Sequence, residues 1–156
     1  MSLIILSSYQ GYNADQLHNI ENANSFTNYF TNTFVVEPDS EVALISVNCS
    51  RETGQGKGDE GYVRLNGFGL FQTYNGATSQ QSKIIGAFLR DTDVGGHSGP
   101  IFTQKPYPIY LALRNPEEIH LNQLSVDLVD ADEVLVQDLD LDSPSRVVLH
   151  VRKRRK

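Results

Sequence analysis

The stretch Gln123-Leu124-Ser125-Val126-Asp127-Leu128 alternates strictly between polar and apolar residues. Successive side chains of a β-strand point to opposite faces, so Leu124, Val126 and Leu128 share one face. Arg146 to Arg152 repeats the arrangement. Val147, Leu149 and Val151 fall on one side, and Arg146, Val148, His150 and Arg152 on the other. A one-residue slip would send each apolar set to solvent, so these six residues are expected in the core. Between Val42 and Val47 the chain is apolar at almost every position, which reads as a central strand buried on both faces.

Working outward, further strands are expected at Leu3–Leu6, Thr33–Val36, Glu41–Cys49, Tyr62–Asn66, Leu70–Tyr74, Lys83–Leu89, Ile109–Leu113 and Glu133–Gln137. Helix signals are few. Asn13–Leu17 offers one turn, and Asn115-Pro116-Glu117-Glu118-Ile119 has a capping Asn, a proline at the first helical position and acids behind it. No helical period persists over four turns, and no repeat is visible. The sequence predicts an all-β domain with less than about 15% helix. Two glycine-rich stretches, Arg51–Gly61 and Asp91–Lys105, read as long loops and candidate contact surfaces.

At 156 residues the chain is one domain by size, with 39% hydrophobic and 21% charged residues, as in an ordinary globular protein. Its net charge of −6 conceals a division, because the last five residues, Arg152, Lys153, Arg154, Arg155 and Lys156, are all cationic. Without them eight basic residues face nineteen acidic ones, and Asp127 to Asp142 holds seven acids and no base. Such a body repels nucleic acid, so phosphate binding is assigned to the terminal cations. The expected division is a domain over 1–151 and a basic tail over 152–156, whose partner is phosphate, an acidic neighbour or solvent. With Cys49 as the one cysteine, no disulfide can form within the chain, which suits a reducing compartment. The N-terminal LIIL is too short for a signal-peptide core and no run is long enough to span a membrane.

Chemical motifs fail on context. Gly56-Lys57-Gly58-Asp59-Glu60-Gly61 matches a dinucleotide fingerprint but leads into a strand instead of a helix, and carries two acids. Asp138-Leu139-Asp140-Leu141-Asp142 begins like a calcium loop, yet Ser143 and Leu149 stand where Gly and Glu are required. A weaker calcium site from Asp130, Asp132 and this group is the alternative. His18, His97, His120 and His150 have no zinc spacing, and Cys49 lies in the most apolar strand. His97 and Ser98 are neighbours in a glycine loop with no acid to orient the ring. No enzyme activity, cofactor or metal is expected.

Several stretches together carry a resemblance. Phe26-Thr27-Asn28-Tyr29-Phe30 leads to Ser40-Glu41-Val42-Ala43-Leu44, then Val63-Arg64-Leu65-Asn66 and Ser82-Lys83-Ile84-Ile85-Gly86. Tyr110-Leu111-Ala112-Leu113-Arg114-Asn115-Pro116 runs on to Leu121-Asn122-Gln123-Leu124-Ser125-Val126, and Asp138-Leu139 precedes the closing Val147-Val148-Leu149-His150-Val151-Arg152. This order resembles the penton-like and minor capsid single jelly-roll proteins of virophages, polinton-like viruses and large icosahedral DNA viruses. The resemblance implies a jelly-roll β-sandwich of two antiparallel sheets with about eight to ten strands. It implies a structural subunit at the vertex or between capsomers of a virion assembled in the infected host cell. The implied partners are the major capsid protein and neighbouring copies, as a homopentamer at a vertex. The basic tail is then expected to meet genome or an internal membrane. Leu141-Asp142-Ser143-Pro144-Ser145 replaces the glycine turn that usually precedes the closing strand in that family, and a receptor-binding or spike role through an extra outer domain is not expected. The competing reading is a sandwich that binds carbohydrate or protein through its loops, using Tyr62, Phe68, Phe71 and Tyr74.

Overall fold

In the computed structural model, residues 2–9, 23–51, 60–68, 73–89, 99–137, 139 and 143–155 are described, and none of them is helical. Among the described residues eleven strands follow one another: β1 (Ser2–Ser7), β2 (Ser25–Val36), β3 (Ser40–Arg51), β4 (Glu60–Asn66), β5 (Thr73–Asn75), β6 (Gln80–Ser82), β7 (Ile84–Leu89), β8 (Gly99–Gln104), β9 (Leu111–Ala112), β10 (Ile119–Val129) and β11 (Arg146–Lys153). Eight of them build two sheets, in the orders β1-β11-β3-β8 and β2-β10-β4-β7. The pairs β1–β11, β2–β10, β3–β8 and β4–β7 are all antiparallel. Each joins a strand counted from one end of the chain to its counterpart from the other end, which is a jelly roll. The short β9 extends the first sheet beside β3, and β5 and β6 form a separate hairpin.

The alternating residues fill the space between the sheets. Leu124, Val126, Leu128, Val147 and Leu149 are fully buried and Val151 nearly so. Strand β3 lies inside its sheet, as its apolar run predicts, but the run has a further cause. Val147 lies opposite Val47 and Leu149 opposite Leu44, so the register shifts between Val148 and Leu149 and Ile45 is the extra residue. A β-bulge there changes the phase of β3. Val42 and Leu44 point inward before it, and Val47 and Cys49 after it, all buried. Gly61 on β4 lies opposite Phe88 on β7, and a β-carbon added to it would sit 2.4 Å from the Phe88 ring. The ring fills the space that glycine leaves.

Several expectations need correction. Gly99–Gln104, read as part of a loop, is edge strand β8; its Pro100 sits at the second position, where an edge strand tolerates a missing donor. Strand β2 starts at Ser25 instead of Thr33, with Asn and Thr on its solvated positions. Glu133–Gln137 contributes one bridge, Leu135 to Val129, because Glu133 takes a positive φ in a turn. Ile109–Leu113 shrinks to the two residues of β9; of the expected strand Leu70–Tyr74, Thr73 and Tyr74 lie in β5 and 70–72 lie outside the described residues. No helix starts at Asn115. The expected turn at Asn13–Leu17 lies outside the described residues.

Candidate assembly surfaces

Polar residues from three distant stretches meet at the end of the first sheet. Arg152 on β11 faces Glu41 on β3, and their side chains form an ion pair of 2.6 Å. The Arg152 guanidinium also lies 3.4 Å from the centre of the Tyr110 ring, an arrangement that adds cation–π attraction. The Tyr110 hydroxyl sits 2.6 Å from His150 Nδ1. Beside them Asn115, buried, closes the corner. Its Oδ1 accepts the Ser40 N–H at 3.2 Å, and its Nδ2 donates to the carbonyls of Glu37 (2.8 Å) and Glu117 (2.9 Å). Asp39 and Arg114 adopt positive φ to make the turns on either side.

His150 reports on this corner. Burial, and secondly the charge of Arg152, hold its pKa below the ordinary histidine value, so the fold favours the neutral ring. The neutral ring can accept the Tyr110 hydroxyl proton at Nδ1. With the folded value below the unfolded one, the contribution to stability is complete above about pH 6.5. It declines as pH falls toward the folded value, because the unfolded chain takes up the proton first. Melting temperature should therefore fall between neutral and mildly acidic pH, and His150→Gln should remove that part of the slope. An unchanged slope in the variant would contradict this assignment.

The strand reaches further into the basic end than expected. Arg152 and Lys153 belong to β11, opposite Glu41 and Ser40, and the Arg154 N–H donates to the Asp39 carbonyl. The domain's last strand thus extends to Lys153. Arg152 is committed to Glu41 and Tyr110, whereas Lys153, Arg154 and Arg155 are exposed; Lys156 lies outside the described residues. Deleting Arg155 and Lys156 should change the melting temperature by no more than about 2 °C. Deleting 152–156 strips Glu41 of its partner and should cost about 1–3 kcal/mol, roughly 4–10 °C, in a thermal melt. Equal melting of both truncations would rule out a structural role for Arg152.

On the second sheet three acids of the acidic stretch, Asp127, Asp130 and Glu133, are partnered within the chain. Arg64 contacts Asp127 through Nε (3.2 Å) and Nη2 (2.9 Å), and Ser25 and Asn66 donate to the same carboxylate. Glu133 accepts from Ser82 (2.7 Å) and Asn75 (3.2 Å), which fastens the β5–β6 hairpin to the sheet. Asp130 caps its own turn by accepting the N–H groups of Asp132 and Val134. Among the described residues no group of three or more His, Cys, Asp or Glu side chains converges as a metal site would.

That hairpin forms one wall of a cleft of about 520 Å³, lined by Tyr62, Tyr74, Ser82, Ile84, Ala87 and Ile109 among others. Of the aromatics singled out in the sequence, Tyr62 and Tyr74 share this cleft, Phe68 is buried in the core, and Phe71 lies outside the described residues. Apart from the exposed Tyr74, the polar side chains around it bond within the chain. Asn75 spans Ala131, Glu133 and Ala77, Thr73 donates to backbone carbonyls, Ser82 binds Glu133, and the Tyr62 hydroxyl donates to Glu60. Glu60 in turn raises the Tyr62 pKa, chiefly through that hydrogen bond. A sugar needs polar groups free to bind its hydroxyls; this lining offers mainly apolar contact.

Apolar residues are exposed at the cleft and away from it: Ile109 lines the cleft, Tyr107 and Phe102 are exposed near it in the chain, and Leu3 and Ile5 are exposed on β1 at the other edge of the first sheet. Phe102 falls within 91–105, the stretch expected to offer a contact surface, although as a strand and not a loop; the exposure of Leu3, Ile5, Tyr107 and Ile109 is not announced by the sequence. Cys49 is buried in β3. The glycine motif at 56–61 lies mostly outside the described residues, as do His18, His97, Ser98, Asp138, Asp140 and Asp142. No protein-family description and no curated protein sequence matches the chain.

Proposed function

We propose that the chain is a structural virion protein, a penton or minor capsid subunit of an icosahedral shell, with no catalytic role. One observation carries the reading. The polar residues of the stretches that resemble capsid jelly rolls meet at one corner. Glu41 comes from the SEVAL segment, Tyr110 and Asn115 from the stretch before β10, and His150 and Arg152 from the closing strand. They are up to 111 positions apart in the chain. Short motifs that arise by chance have no reason to interlock in this way.

The surfaces favour the same reading over a carbohydrate-binding module. Exposed apolar side chains, and a cleft whose polar lining is internally bonded except at Tyr74, suit contact with protein. The partners are the major capsid protein and neighbouring copies, as a homopentamer at a vertex. Lys153, Arg154 and Arg155 remain available for genome, an internal membrane or an acidic neighbour, an attraction that salt would weaken. The test is localisation. Antibody against the chain should label purified particles, and mass spectrometry should find it in stoichiometric amounts in the shell fraction. Its absence from purified particles, with the protein present in the producing cells, sinks the proposal.

A further inference from the structure

Strand β1 is an edge of the first sheet, and among the described residues it pairs on one side alone, with β11. In an antiparallel ladder, alternate residues turn both backbone groups toward the neighbour or both away from it. Ser7 shows which set faces outward. Its N–H donates to Asn28 Oδ1 (2.8 Å) and its carbonyl accepts from Asn28 Nδ2 (2.7 Å), both on the side away from β11. By parity the N–H and C=O of Leu3 and Ile5 face the same open side. Among the described residues nothing meets these four groups. Leu3 and Ile5 are 65% and 66% exposed.

Edge strands are ordinarily protected against pairing by charge, proline or a bulge. The other edges carry such devices. Between Tyr29 and Phe34 the β2 ladder has four residues against the single Asn122 of β10, a wide irregularity. Strand β8 has Pro100, and β7 has a register shift against β4. Strand β1, Ser2-Leu3-Ile4-Ile5-Leu6-Ser7, has none of them.

We infer that β1 is a self-association site, pairing antiparallel with β1 of a second copy across a two-fold axis. The register is fixed by the groups that remain open. When Leu3 of one copy lies opposite Ile5 of the other, each pair exchanges two hydrogen bonds and every open group finds a partner. Ile4 then sits on the axis facing its own counterpart. A register centred on Ile5 would place Leu3 opposite Ser7, whose groups Asn28 already occupies. Leu3 and Ile5 of the two copies would form one apolar stripe on the outer face, and no charge enters the strand pair. That matters for a chain of net charge −6, because two acidic bodies meet along an uncharged line. A six-residue strand pair is smaller than the roughly 1,000 Å² of a stable free-standing interface. The contact is therefore weak alone and forms at high local concentration. It depends on the edge and not on the virion assignment.

The full chain, measured by sedimentation equilibrium through the millimolar range, should show a monomer–dimer equilibrium. Ile5→Pro removes the outward N–H while leaving the β11 ladder intact, and deletes two of the four intermolecular bonds. It should weaken dimerisation about tenfold or more. Leu3→Lys, which keeps every backbone group, should weaken it too by placing charge on the stripe, and serves if the proline variant does not fold. A Leu3→Cys, Ile5→Cys double variant should cross-link between copies under mild oxidation. A monomer at all concentrations overturns the inference, whether β1 is unpaired or covered by its own chain. A dimer or larger ring that both variants leave unchanged overturns it as well, while leaving the shell assignment standing.

Discussion

Replacing Asn115 by aspartate is expected to lower stability by about 3–5 kcal/mol, or roughly 8–15 °C in melting temperature. The residue is 2% exposed and its side chain uses both ends. Its amide donates to the Glu37 and Glu117 carbonyls while its oxygen accepts the Ser40 N–H. Aspartate keeps the shape and the acceptor but loses both donors. It then sets a buried anion against two carbonyl oxygens, which burial makes expensive. Lowering the pH protonates the carboxyl and restores one donor, so the variant should recover part of its deficit in acid, where the native protein gains nothing comparable. Asn115→Ala should cost less, about 2–4 kcal/mol, because it orphans the same backbone groups without adding a charge. An Asn115→Asp variant that melts like the native chain would show that the corner is held by something else.

Asn115 also marks what the sequence hides. An Asn before Pro-Glu-Glu satisfies every local rule for a helix start. Yet Ile119-His120-Leu121 already alternates as β10 begins, leaving no length for a helix. The stronger demand came from the Glu37, Ser40 and Glu117 backbone, and which groups lie there depends on how β3 and β9 pair. Alternation was legible in β10 and β11 because the burial of one sheet face imposes a period of two on the residues themselves. The bulge at Ile45 was not, because a phase change and a strand buried on both faces leave the same apolar run. Arg152 read both as the end of the closing strand and as the first residue of a tail, and its structural role stayed hidden for the same kind of reason: its partner, Glu41, is 111 positions away. Strand β8 was missed because glycine and proline at its start signal a loop, whereas an edge strand beside β3 tolerates both. The open side of β1 needed the Asn28 contact, which no pattern in Ser2–Ser7 announces.

Leu149→Ala and Val148→Ala should differ sharply although the residues are adjacent. Leu149 is fully buried between the sheets, with Ile4 of β1 and Leu44 of β3 as its lateral neighbours. Truncating it removes apolar contact and leaves a cavity that strands on both sides prevent from collapsing. The expected loss is about 2–5 kcal/mol. For a chain of this size that is roughly 6–15 °C. Val148 points to the outer face and is half-buried, beside Ile5 and Ser46. Its truncation should cost about 0.5–1 kcal/mol, chiefly lost cross-strand packing. The contrast tests the register and not merely the presence of a strand. If β11 were shifted by one residue against its neighbours, the two variants would exchange effects, because a slip of one exchanges the faces. Equal losses would mean that both faces of β11 are covered, which fits neither the exposed Leu3 and Ile5 nor an open edge at β1.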